Sequence, residues 1–307
     1  MKLISFFLLG LLTTANVFAA EKIYVQYGAA ASQSNFGAYL KMLDVANTLQ
    51  DKYQFILEIK PGANGVIALK AMDQSPENRI SYVAPAFIEN ANSGLINDRD
   101  YVPVAATGDT CWGVITNVGD TAQGVASLQG QKEITVGGAG YGNAAHLTSL
   151  VLGKAYGFKV RYIVYKSNYD ALRDMAAGLD VNFVIETVQN YQTFKARNPK
   201  LQLLGINCPK RVASVPEIKT VKEQGFDTPS IFFGTVANVK MPAERRKEIT
   251  KILNEAVIKT VADLALVDII PPQSFNPPMD PVDFMEKRWM LMRVLTHKFS
   301  QEIDSAK

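Results

Sequence analysis

Val136-Gly137-Gly138-Ala139-Gly140-Tyr141-Gly142-Asn143-Ala144-Ala145-His146 carries a short β-prone run into a glycine-rich loop and out into helix-compatible residues. A strand that turns through glycines into a helix is the building unit of an α/β protein. Its free backbone N–H groups gather at the positive end of the helix dipole, which suits an anion. The dinucleotide fingerprint fits poorly: Gly138-x-Gly140 is followed by Asn143, and no Asp or Glu lies about twenty residues downstream to hold a ribose. The phosphate-cradle pattern is absent as well, since Gly153-Lys154 is followed by Ala155. On these residues alone two readings stay open, an anion-holding loop and a tight turn that needs glycine for steric reasons.

Working outward, β-rich runs alternate with helical patterns. Ile23 to Tyr27, Phe55 to Ile59, Ile80 to Val83 and Ile134 to Val136 read as strands, as do Val160 to Tyr165, Val181 to Ile185, Leu201 to Ile206 and Ile231 to Val236. Between the first two, Phe36, Tyr39, Leu40, Leu43, Ala46 and Leu49 keep helical spacing, with Ser34 or Asn35 as the cap. Gly157 and Gly178 sit where helix C-caps belong, and two long helices close the chain, one opening at Pro242 and one from Asp280 to Ile303. Such alternation predicts an α/β protein of mainly parallel sheets flanked by helices. Turn formers between Asn90 and Asp109, and again from Thr228 to Ile231, mark candidate domain boundaries.

Length points the same way, because 307 residues less a leader exceed one ordinary core and suit two domains. With 48% hydrophobic and 20% charged residues the chain is a folded one, and a net charge of +3 leaves no basic stripe for nucleic acid. Met1-Lys2, the apolar run Leu3 to Leu12 and Val17-Phe18-Ala19-Ala20 read as a signal peptide over residues 1–20, cut after Ala19 or Ala20. The run is too short to span a bilayer. Two histidines and two cysteines predict no metal site. Cys111 and Cys208 either pair, closing a loop worth ~4 kcal/mol in the chain-entropy model, or remain two buried thiols.

The glycine loop from Gly137 to Leu147 resembles that of the second domain in the solute-binding proteins of tripartite tricarboxylate transporters. Pro61-Gly62-Ala63-Asn64-Gly65 is similar to their second N-terminal loop. Tyr165-Lys166, the helix from Ala171 to Gly178, Val215-Pro216 and Gly225 match in order, so the resemblance covers nearly all of the chain after the leader. It implies a two-domain periplasmic-binding-protein clamshell, type II-like, with residues 21–105 plus 232–307 in domain 1 and 106–231 in domain 2. The chain departs from the family pattern twice. Ala30-Ala31-Ser32 and Asn35 stand where a proline-glycine-glycine turn and an aspartate are usual, and a second aspartate is missing near Val184, just before Glu186 and Thr187.

The function implied is a periplasmic receptor, not an enzyme. It would be a monomer that takes a small organic anion, expected to be a carboxylate, into the cleft and delivers it to a membrane permease. No cofactor, metal or nucleic acid is expected. Candidate ligand contacts are Ala30, Ser32, Ser34 and Asn35 in the first loop, Gly62, Ala63 and Asn64 in the second, and Gly138, Ala139, Gly140, Tyr141, Asn143 and His146 in the third. Tyr27, Phe87 and Tyr141 would wall the cleft. Glu186, with Thr187 beside it, is either a solvated strand end or a contact favouring a cationic group. His146 with Ser149 also admits a secreted hydrolase or lyase, but no carboxylate orients the ring, and a structural hydrogen bond fits it better. A third reading is a subunit that presents the same ligand to a membrane sensor.

Overall fold

The computed structural model describes residues 19–29, 31, 36–229, 231–261 and 280–307. The leader residues 1–18, and with them Ala30, Ser32, Ser34 and Asn35, lie outside the described residues.

The first half of the chain forms β1 (Glu21–Tyr27), α1 (Phe36–Thr48), β2 (Tyr53–Ile59), α2 (Val66–Asp73), β3 (Arg79–Val83), α3 (Ala86–Asn92), β4 (Tyr101–Thr110) and β5 (Trp112–Thr116). There follow β6 (Glu133–Gly138), α4 (Ala144–Tyr156), β7 (Lys159–Val164), α5 (Asn168–Ala176), β8 (Phe183–Thr187), α6 (Val188–Lys195) and β9 (Gln202–Asn207). The chain closes with β10 (Ile231–Asn238), α7 (Ala243–Val261), α8 (Pro281–Lys298) and α9 (Ser300–Ala306). The single closing helix expected from Asp280 to Ile303 is therefore two, separated at Phe299, whose φ of −112° and ψ of 22° leave the helical region.

The strands make two five-stranded sheets, β2-β1-β3-β10-β4 and β7-β6-β8-β5-β9. In the first, β1 pairs in parallel with β2 (Val25 opposite Leu57) and with β3. In the second, β6 pairs in parallel with β7 (Val136 opposite Tyr162) and with β8. The reading of mainly parallel sheets needs one correction in each: β10 and β5 run against both their neighbours. The reason is where the chain crosses. It leaves the first sheet at the end of β4 and enters the second one residue later, so β5 starts at the edge where β6 and β8 end and must run back from it. β10, re-entering the first sheet, does the same.

A second correction concerns Asn90 to Asp109, whose turn formers suggested a boundary. Its last nine residues, from Tyr101, belong to β4, a strand ten residues long. Pro103 lies inside that strand, which is possible because β4 is an edge strand and the ladder loses no donor on its open side.

Alternation along the strands divides the core. On β10, Phe232 and Val236 face α2, α3 and α8 with Leu69, Phe87, Phe284 and Trp289, whereas Ile231, Phe233 and Ala237 face α1 and α7. The hydroxyls of Tyr39 and Thr235 share a buried 2.8 Å hydrogen bond on that second face. In the second lobe Ile115, Val184 and Ile206 pack under α5 and α6, and Val114, Val136 and Ile185 pack on the face of α4. Burying each such side chain stabilises the fold by about 1.5–3 kcal/mol.

Cys111 and Cys208 form a disulfide with Cα atoms 4.8 Å apart, which settles the two readings of the cysteines. It bridges the residue between β4 and β5 to the residue after β9, one step beyond the Trp112–Asn207 pair. The Asn207 side-chain amide donates to the Pro229 carbonyl at 2.8 Å and ties in the return crossing.

Candidate functional site

A cavity of about 970 Å³ lies between the two sheets. It is walled by the loops that follow parallel strands: Gly28 and Ala29 after β1, Pro61 to Gly65 after β2, Ala84 to Phe87 after β3, and Val164 to Lys166 after β7. Ala139, Gly140, Tyr141 and Asn143 supply the wall after β6. In α/β sheets the carboxyl ends of strands are where ligands bind, since helices begin there and turn their N–H groups outward. Gly65 before α2, Ala144 and Ala145 at the start of α4, and Asn168 at the start of α5 all border this cavity. Three helix N-termini therefore meet at one cavity.

The glycines of the loop after β6 are explained by what approaches them. A Cβ on Gly138 would strike the Tyr162 hydroxyl, and one on Gly140, at φ 156°, would strike the side-chain amide of Asn64 from the other lobe. One on Gly142 would stand 2.8 Å from Cδ of Glu89. The steric reading and the site reading thus coincide, since at Gly140 and Gly142 the bodies admitted belong to the opposite wall.

The loop is braced from behind. The Ala139 amide donates to Oδ1 of Asn168 at 2.8 Å, and the Tyr162 hydroxyl packs against Gly138. The Gly142 amide donates to Nδ1 of His146 at 3.1 Å. Asn143 caps α4 by accepting from the His146 amide at 3.0 Å, and it also accepts from the Tyr162 hydroxyl. The Ala144 and Ala145 amides, in the first turn of α4, have no acceptor within the helix and are open to a ligand.

Gly62, Ala63, Asn64 and Phe87 line the cavity, as do Ala139, Gly140, Tyr141 and Asn143. Five other expected contacts do not. Tyr27 is fully buried in an aromatic cluster with Phe36, Tyr39 and Tyr82. Gly138 is the last residue of β6, covered by Tyr162. His146 is 1% exposed and stacks on Tyr162 at 4.1 Å, and burial draws its pKa down to about 4, so the ring is neutral and its Nδ1 is an acceptor. Ser149 donates to the carbonyl of His146 at 2.7 Å within its own helix, so no nucleophile–base pair exists there. Glu186 is 1% exposed, with Oε1 accepting from the Thr187 amide at 2.6 Å, and Thr187 caps α6. β8 is central in its sheet and covered on both sides, which makes a solvated strand end impossible there.

The sequence reading missed Glu89, Trp112, Phe233 and Lys307, which also line the cavity. Glu89 could have been found by asking which polar side chain follows the carboxyl end of a parallel strand. Its carboxyl is buried, and that burial pushes the pKa up to about 7. Lys166 is an exposed cation among the lining residues. Among the described residues no group of His, Cys, Asp and Glu could hold a metal ion.

Two α/β lobes of the same strand order, joined by two crossings and enclosing a cavity at their strand ends, define a solute-binding protein of the clamshell type. A family model for tripartite tricarboxylate transporter receptors matches residues 43–287, and the chain belongs to that family. It is a receptor and not an enzyme. The solved periplasmic binding protein BugD aligns over 92% of this chain and 98% of its own, with 18% identity and a TM-score of 0.69. An R. palustris protein solved with adipate aligns over 93% of this chain and 97% of its own, with 17% identity and a TM-score of 0.71. A Pseudomonas protein encoded in the tcbD-tcbE intergenic region is 21% identical over 230 residues, 71% of this chain and 67% of the relative.

Proposed function

We propose that the chain is exported by its leader, residues 1–20, and acts in the periplasm as a monomeric receptor that closes on a small organic carboxylate and passes it to a tripartite tricarboxylate-type permease. The observation that carries the reading is the convergence of the α2, α4 and α5 N-termini on one cavity whose walls come from both lobes. A carboxylate so placed needs no arginine. Membership of the receptor family supports the carboxylate and the permease, and the structure of a relative fold with adipate is in keeping with them. We place the lobe boundaries where the chain changes sheet, at Cys111 and between Asn207 and Ile231, close to the expected limits of 106 and 231. Binding favours the closed state because only there does the ligand touch both lobes.

Isothermal calorimetry with a panel of mono-, di- and tricarboxylates and amino acids tests this. At least one member should bind saturably. Gly140→Val, whose side chain must push Asn64 aside, should weaken that binding by about 1–3 kcal/mol, which is roughly 5-fold to 150-fold. A folded wild-type protein that binds no carboxylate of any kind would overturn the reading.

A further inference from the structure

Glu89, on α3, is 6% exposed and lines the cavity, and its Oε2 has no hydrogen-bond partner among the described residues. A buried carboxyl oxygen without a donor is costly, so the protein leaves a requirement that a ligand can meet. Room for this group is built in, because the absent Cβ of Gly142 is what lets the carboxyl approach the opposite loop. Trp112 makes the complementary case. It is 4% exposed, lines the same cavity, and its indole Nε1 donor has no partner among the described residues.

One orphan acceptor and one orphan donor therefore share a cavity that also receives three helix N-termini. Resting on the receptor reading above, we propose that Glu89 is a specificity-determining residue that accepts the ammonium group of an amino acid, whose carboxylate is held by the helix N-termini and the Trp112 indole. A plain dicarboxylate would set its second negative charge against the ionised Glu89, whereas an ammonium group would pair with it.

Burial favours the neutral form of the free Glu89 carboxyl and an ammonium group favours the ionised form. Affinity should therefore rise as pH climbs through about 7 and level off above it. The charged groups acting on Glu89 oppose each other, Lys307 lowering its pKa and Asp304 raising it. Tyr162 faces it from β7 and stays neutral, since burial pushes that hydroxyl upward. His146, pulled down by burial, is neutral throughout the range. Beside α3, Asp98 and Arg293 are paired with each other.

Calorimetry at pH 6, 7 and 8 with the proteinogenic amino acids, and with succinate, malate and adipate, separates the possibilities. We expect an amino acid to bind about tenfold more weakly at pH 6 than at pH 8. Glu89→Gln should lose at least tenfold in affinity and flatten that profile, Glu89→Asp should keep its slope, and circular dichroism should show both folded. Should a dicarboxylate bind best and Glu89→Gln change nothing, this inference fails and the receptor reading stands. If no amino acid binds the wild type, this inference fails, and if no carboxylate of the wider panel binds either, the receptor reading fails with it.

Discussion

Ala63 and Asn64 hold φ of 46° and 51°, between Gly62 at 127° and Gly65 at 91°, so four consecutive residues lie at positive φ. L-residues resist this conformation by about 1–2 kcal/mol each, asparagine less than alanine. The run folds the chain sharply back after β2, closed by the Gly65 amide donating to the Gly62 carbonyl at 3.0 Å. It also projects Asn64 toward Gly140 while the Asn64 carbonyl accepts from the Asn90 side chain at 3.0 Å. Strain of this kind collects where a loop clamps a ligand. Ala63 is exposed, so its methyl group contributes little packing in return. Ala63→Gly should therefore raise stability by about 0.5–1 kcal/mol, after allowance for the greater freedom of glycine in the unfolded chain. Urea denaturation measures it, and a lower midpoint would show that the turn is not strained at this residue.

β4 and β5 show what sequence periodicity conceals. Strands such as Ile23 to Tyr27 and Leu201 to Ile206 were legible because apolar runs end at turn residues, and the loop from Gly137 to His146 was legible because glycine has few other uses between a strand and a helix. β4 carries Pro103 and Gly108 and follows a stretch of turn formers, so local chemistry spoke against the strand that tertiary pairing with β10 creates. Glu89 was hidden in the same way. A carboxylate on a short helix reads as a surface charge, and only the packing of α3 against α8 and the glycine loop buries it. The disulfide, by contrast, rested on two residues and a compartment. It closes the β5–β9 ladder over a separation of 97 residues, for which the chain-entropy model gives roughly 4–5 kcal/mol. Cys111→Ser with Cys208→Ser should lose about 2–5 kcal/mol, and reduction of the wild type by dithiothreitol should lower its melting temperature to match. Equal melting temperatures with and without reductant would mean that the bridge adds no stability.

At the scale of the whole molecule the two sheets are interlocked by order of appearance. The second lobe is assembled from β5 to β9, contiguous in the chain, whereas the first cannot be completed until β10 arrives between β3 and β4, which lie more than a hundred residues earlier. Closing so long a loop is entropically slow compared with the local pairings of β6, β7 and β8. The lobe made second should thus be finished first. Pulse-labelled hydrogen exchange during refolding should show amides of β6 and β8 protected before those of β3 and β4, and the reverse order would refute this. Until about residue 238 has emerged, the N-terminal third of the protein is a sheet lacking its inner strand. A newly made chain therefore keeps its first sheet open in the middle until nearly all of it has been synthesised.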